Sequence, residues 1–374
     1  MTSLFKLSPK AISFDSNGVL QISDSTAEAV LKEASLLLHS GKTVAFPTET
    51  VYGLGASALS SAAVEQIYKA KNRPSDNPLI THVSSVEMIE NVLHAKVPLV
   101  YLPLIQKFWP GPLTIILPRE FDCPLSPLVT ANQDTFAVRL PANPIARALI
   151  AYSNLPLAAP SANASTRPSP TLADHVYYDL NEKISMIIDG GACSVGLEST
   201  VVDGTVDPPM LLRPGGISLE QIENIGGFWS NIQLGKKTAG KYEKVRTPGM
   251  KYKHYSPTAK VILFLNSGDG KIAIKNFLHN ELLIDKKVAL LTTKLWNEDT
   301  TADCVYTTSL GRKGDEISRN LFSALRDADL KGIDVLLVEA VGEEKEGLAI
   351  MNRLEKAASR IVDCKGNRLV DLKF

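Results

Sequence analysis

TVAFPTETVYGLGA, residues 43–56, begins as an apolar strand and ends in a loop that sets Thr48, Glu49, Thr50 and Tyr52 against two glycines. A backbone without a β-carbon can approach a small polar ligand closely, so the loop is a candidate binding element. Upstream, Val30, Leu31, Ala34, Leu37 and Leu38 recur with helical period. Ser25 with Glu28 predicts a capping box, and Gly41 predicts the stop. Downstream, strand-like runs recur at PLITHV, PLTIILP, TFAVRLP, LPLAAPSAN, ISMIID, STVVDG and PMLLRPG. Helical segments such as SSAAVEQIYKAK and NPIARALIAY separate them, so residues 1–215 read as an α/β domain on a sizeable mixed sheet.

At 374 residues the chain exceeds the usual reach of one core, which predicts two domains. Apolar residues make up 44%, and 40 basic groups balance 40 acidic ones, so net charge supplies no argument for nucleic-acid binding. Four scattered cysteines form no C-x-x-C pair, which argues against a disulfide framework or a cysteine zinc site. The N-terminus lacks an apolar signal core and no run of about 18 apolar residues occurs, so a cytoplasmic protein without a membrane partner is expected. From 216 to 259 the texture changes, and KKTAGKYEKVRTPGMKYKHYSPTAK carries eight Lys/Arg and one Glu; this reads as a basic inter-domain linker. Residues 260–374 alternate strands (VILFL, KVALLTT, DVLLVEAV) with helices, predicting a smaller Rossmann-like α/β domain, although no glycine-rich phosphate loop is present. A structural or lid-anchoring role is expected for it.

Lys71 and Arg73 lie where a helical pattern meets Pro74. A loop there would let their charges converge on a polyphosphate, and a solvated helix end is the other reading. Ser161-Ala162-Asn163 follows the strand LPLAAP, either as a ligand-binding strand end or as an Asx turn. His82 reads as a buried strand histidine or a ligand contact. Arg139 interrupts an apolar strand and so needs a partner or an anionic ligand; Arg213 repeats the device.

K-x-R at 71–73, S-x-N at 161–163, PTETVYGLGA at 47–56, PGPLT at 110–114, VRLP at 138–141, LESTVVD at 197–203 and LRPG at 212–215 together resemble the threonylcarbamoyl-AMP synthase family. HYSP at 254–257 and the extra domain are similar to its long two-domain form. The resemblance implies a YrdC-like twisted mixed sheet with a concave basic cavity, and a nucleotidyltransferase joining L-threonine, bicarbonate and ATP. The products would be threonylcarbamoyl-AMP and pyrophosphate, the first destined for threonylcarbamoyl-adenosine in tRNA. It implies threonine contacts from Thr50, His82, Ser161 and Ser199. It implies ATP contacts from Lys71, Arg73, Asn77, Thr135, Arg139, Asn163, Thr171 and Arg213, with Lys71 and Arg73 the catalytic pair. Tyr252, His254 or Tyr255 would close over the nucleotide. Implied partners are downstream tRNA threonylcarbamoyl-transferase proteins and tRNA itself. Mg²⁺ would enter with ATP, held by phosphates and water and by no metal site of the protein.

Such a reaction requires no enzyme nucleophile, in keeping with cysteines that lack a recurring His partner and the absence of a Ser-His-Asp set. Replacing Lys71 or Arg73 by alanine is expected to leave folding nearly intact while removing most pyrophosphate release. A different class of function is a double-stranded RNA or tRNA binding module without catalysis, which steep salt dependence without ATP turnover would reveal. A third keeps the adenylation and changes the acceptor, which omitting threonine would test.

Overall fold

Val44–Phe46 is buried at every position because it is a central strand with neighbours on both edges. The structure, a computed structural model, describes residues 1–235, 254–281, 283, 285–296, 300, 304–365 and 368–371. The chain divides into two compact units, Met1–Ser165 with Ser169–Lys251, and Thr166–Pro168 with Tyr252–Phe374.

The strands of the first unit are β1 (Ser3–Lys6), β2 (Ile12–Phe14), β3 (Leu20–Ile22), β4 (Val44–Phe46), β5 (Gly53–Ser57), β6 (Ile80–His82) and β7 (Leu113–Pro118). They continue as β8 (Thr135–Arg139), β9 (Leu157–Ala158), β10 (Met186–Asp189), β11 (Thr200–Asp203), β12 (Met210–Arg213) and β13 (Gln233–Leu234). Eleven of them form one sheet in the order β1-β10-β4-β5-β9-β6-β8-β7-β11-β12-β13, while β2 and β3 pair separately. The sheet is mixed, as the sequence pattern predicts: β6 runs parallel to β8 and antiparallel to β9. The helix α1 (Ser25–His39) buries Ala27, Val30, Leu31, Ala34 and Leu38, the stripe seen in the sequence. Its cap is Asp24 instead of the expected Ser25, because the Asp24 carboxylate accepts from the amide of Thr26 at 3.0 Å and also suits the positive end of the helix dipole. Gly41 follows the helix at φ +78°, as expected of the stop.

Residues 216–235 belong to this unit and are not linker. A capping box of Ser218 and Gln221 starts the helix Leu219–Glu223, and β13 pairs with β12. The reason is apolar anchoring: Ile222 and Trp229 are fully buried and Ile232 nearly so, with Trp229 stacked near Tyr101. The basic segment 236–253, including Tyr252, lies outside the described residues.

In the second unit, β14 (Lys260–Leu265), β15 (Val288–Thr292), β16 (Tyr306–Ser309), β17 (Val335–Glu339), β18 (Arg360–Asp363) and β19 (Arg368–Asp371) form a sheet ordered β16-β15-β17-β14-β18-β19. All pairs are parallel except β18 with β19. The core gathers Ile262, Phe264, Leu290 and Leu337 with Phe277 and Trp296. The fourth strand stands between the first and second, which differs from the 3-2-1-4-5 succession of dinucleotide-binding sheets. Buried Glu339, at the carboxyl end of β17, accepts the amides of Thr293, Lys294, Leu295 and Trp296 and so caps the loop after β15. No helix among the described residues is long and apolar enough to cross a membrane.

Candidate functional site

The helix α2 (Ser61–Lys71) carries Lys71 into the interior. Asn72 adopts the left-handed conformation at φ 52° and turns the chain out, so that the amide of Arg73 donates to the Tyr68 carbonyl at 3.0 Å. Lys71 is therefore the last helical residue and not a loop residue, and at 2% exposure it is no solvated helix end. Its ammonium donates to the carbonyls of Ser161, at 2.5 Å, and Asn163, at 2.6 Å. Those two residues follow β9, and Ser161 forms a β-bridge with Gly53. K-x-R and S-x-N, 90 residues apart, thus meet directly.

A second group lies at the other end of β6. His82 and Arg139 face each other in register across β6 and β8, and Thr114 of β7 pairs with Arg139 on the far side. The Arg139 guanidinium donates to Glu49 Oε1 at 2.6 Å, to Thr50 Oγ1 at 2.9 Å and to the Gly111 carbonyl at 3.2 Å. Glu49 Oε2 accepts the amide of Ala142 at 3.1 Å. Arg213, placed by β12 beside β11, donates to the carbonyl of Ser199 at 2.9 Å and to its hydroxyl at 3.0 Å; that hydroxyl lies 2.8 Å from Thr114 Oγ1. Gly215 is required where it stands, because a β-carbon there would fall 2.3 Å from the Glu198 carbonyl oxygen. The PTETVYG loop joins the two groups, with Thr50 in one and Gly53, through Ser161, in the other.

Asn77 precedes β6 in the chain and Thr135 opens β8. Thr135 is four residues, roughly 13 Å, from Arg139 along the strand, so these two do not touch. Arg73 is half-buried and its charge acts on the Tyr68 phenol, whose pKa burial pushes up to about 12 against that charge. Thr171 is buried, its amide donating to His175 Nδ1 at 3.2 Å and its carbonyl accepting from Cys193. His254 and Tyr255 pack within the second unit: the Tyr255 ring lies 5.3 Å from Phe322 and 5.0 Å from His254, beneath the Arg353 guanidinium. Sequence reading did not single out Thr114 or Glu198, and named Thr48 and Glu49 only within their loop. The signal for Glu49 was available, since a strand arginine demands a partner and that partner is the acid in PTET. Glu198 accepts from Ser169 at 2.6 Å, a buried pair that no spacing rule indicates.

Burial pushes the His82 pKa down to about 3; the charges of Arg139 and then Arg213 deepen the shift, and the carbonyls of Ile80 and Leu157 oppose it. His82 is neutral in the folded protein at every ordinary pH. The unfolded chain protonates it near the reference 6.5, so stability is intact above that value and falls as pH drops through the window toward 3. At pH 4.5 this predicts a loss of about 2–3 kcal/mol relative to pH 7. Urea titrations of wild type and His82→Asn check it, and identical pH slopes between 6.5 and 4 would refute it. Cys193 is buried, and desolvation with the nearby Glu49 charge raises its thiol pKa, so it is a poor nucleophile at neutral pH. Among the described residues no group of three or more His, Cys, Asp or Glu is placed to hold a metal ion.

A mixed eleven-stranded sheet that buries Lys71, Arg139 and Arg213 in polar networks defines an α/β protein of the Sua5–YciO–YrdC class. That family model, described as "Telomere recombination", matches residues 36–215, and one described as "Threonylcarbamoyl-AMP synthase, C-terminal domain" matches 217–359. The chain belongs to the threonylcarbamoyl-AMP synthase family. The Threonylcarbamoyl-AMP synthase of Schizosaccharomyces pombe is 53% identical over 367 residues, 90% of each chain. That of Pyrococcus abyssi is 45% identical over 342 residues, spanning 91% of this chain and 97% of the relative. The crystal structure of P. abyssi Sua5 complexed with L-threonine superposes with a TM-score of 0.84 at 42% identity, covering 97% of this chain and 99% of that one.

Proposed function

We propose that this chain is an L-threonylcarbamoyladenylate synthase, a nucleotidyltransferase that makes threonylcarbamoyl-AMP and pyrophosphate from L-threonine, bicarbonate and ATP. The observation that carries the reading is the PTETVYG loop linking a lysine-centred group (Lys71, Ser161, Asn163) to an arginine-centred one (Thr50, Arg139, Ser199, Arg213). Support comes from the threonine complex of P. abyssi Sua5.

In this reading Thr50, His82, Ser161 and Ser199 hold threonine. Lys71, Arg73, Asn77, Asn163, Arg139, Arg213, Thr135 and Thr171 hold ATP. The threonine amine bonds to the carbon of bicarbonate, with loss of water, or of CO2, with release of a proton, and gives a carbamate. A carbamate oxygen then bonds to the α-phosphorus as the α–β P–O bond breaks and pyrophosphate departs. The chain supplies positioning and cationic stabilisation and forms no covalent intermediate. A raised Cys193 thiol and a neutral His82 support that economy. Lys71, Arg73, Arg139 and Arg213 are donors suited to phosphate and cannot ligate a cation, so Mg²⁺ would enter on ATP, held by phosphate oxygens and water. Transferase proteins would pass the group to tRNA in the cytoplasm.

Mass spectrometry of a mixture containing ATP, bicarbonate, threonine and the protein is expected to show threonylcarbamoyl-AMP. It should vanish when threonine is omitted. ATP consumption that is indifferent to threonine would overturn the reading.

A further inference from the structure

The hydroxyl network of the PTET turn fixes a proton direction that no spacing rule reveals. Thr48 and Thr50 are both buried, and their hydroxyl oxygens lie 2.8 Å apart. Thr48 Oγ1 also lies 2.6 Å from the Val51 carbonyl oxygen. A carbonyl only accepts, so the proton in that short contact is the one on Thr48. Thr48 then has none left for Thr50, and the 2.8 Å contact must carry the proton of Thr50. The amides of Thr50 and Val51 also point at Thr48 Oγ1, at 3.1 and 3.2 Å, and share its remaining lone pair in a bifurcated contact toward its own turn. On its other side Thr50 Oγ1 accepts from Arg139 at 2.9 Å, and a guanidinium only donates. The Thr50 hydroxyl has therefore spent its proton and one lone pair; what is left is an acceptor.

We infer that Thr48 is a positioning residue, which turns the Thr50 hydroxyl into a pure hydrogen-bond acceptor, so that Thr50 takes a donor of the amino-acid substrate and rejects its carboxylate. This rests on the proposed placement of threonine at Thr50. A 2-amino-3-hydroxy acid offers two such donors, its amine and its side-chain hydroxyl. A carboxylate has no proton to offer and would face a lone pair, so the substrate's orientation is set before any contact with phosphate. Without Thr48 the Thr50 proton loses its acceptor and is free to turn toward the ligand, donor against donor.

The test is calorimetric binding of threonine, valine and ATP to wild type, Thr48→Val and Thr48→Ser. Thr48→Val is expected to weaken threonine about tenfold or more while changing ATP affinity less than twofold. Thr48→Ser, which keeps the hydroxyl, is expected to restore threonine binding to within threefold. Valine keeps the amine and lacks the hydroxyl. A Thr48→Val loss shared by valine assigns the amine to Thr50, and a loss confined to threonine assigns the hydroxyl. Threonine and ATP weakening together, unchanged threonine binding in Thr48→Val, or Thr48→Ser as impaired as Thr48→Val would overturn the inference. Binding is read apart from turnover: a wild type that binds threonine yet makes no product defeats the proposed reaction and leaves these outcomes decisive.

Discussion

Lys71→Ala is expected to cut threonine-dependent pyrophosphate release by about 10²–10³-fold, the usual loss when one preorganised donor is removed from a site of developing charge. The magnitude follows from burial. The ammonium is held by two carbonyls at 2.5 and 2.6 Å, so its position is set before substrate arrives, and no reorganisation is needed on binding. The same burial corrects the expectation that folding stays nearly intact. Removing the ammonium leaves the Ser161 and Asn163 carbonyls without this donor, which costs about 1–3 kcal/mol for each buried group left unsatisfied. Turnover should be measured well below the melting temperature of the variant, with unfolding followed in parallel. Lys71→Arg is not expected to rescue, because a planar fork cannot replace a point charge seated between these two carbonyls. Retention of more than a tenth of wild-type kcat/KM in folded Lys71→Ala would remove Lys71 from the catalytic pair.

The second large effect concerns the fold itself. Glu49→Gln takes the charge from a buried partner of Arg139 and leaves a guanidinium that is 4% exposed without its counter-ion. Breaking such a pair from one side costs about 3–5 kcal/mol, because the remaining ion stays desolvated. The loss should appear as a lower denaturant midpoint with little change in slope. Replacing both members with neutral residues, as in Glu49→Gln with Arg139→Gln, should recover part of it, since no lone buried charge then remains. A Glu49→Gln loss below about 1 kcal/mol would mean that water or another group already screens Arg139. Activity of Glu49→Gln should fall further than stability, since Thr50 depends on Arg139 as well.

Much of the fold was legible because its signals are local. The stripe of α1, the apolar runs that became β4, β6, β8 and β11, and the glycine stop at 41 each depend on neighbours within a turn or two. Asp24 displaced Ser25 as the cap by one residue, which local propensity does not resolve. Composition alone reads residues 216–235 as linker, while the burial of Trp229 that holds them comes from contact with distant Tyr101.

The sequence by itself marked the residues proposed to carry the site's chemistry. Two cations at 71 and 73, S-x-N at 161, and arginines interrupting apolar strands at 139 and 213 are visible in order along the chain. Only the tertiary structure decided that Lys71 is buried on Ser161 and Asn163, that Glu49 is the partner Arg139 requires, and that the Thr50 hydroxyl accepts from Arg139. The reason is physical. Residue type sets what a group can donate or accept, but burial, pKa and proton direction depend on atoms brought within about 3 Å by strands far apart in sequence.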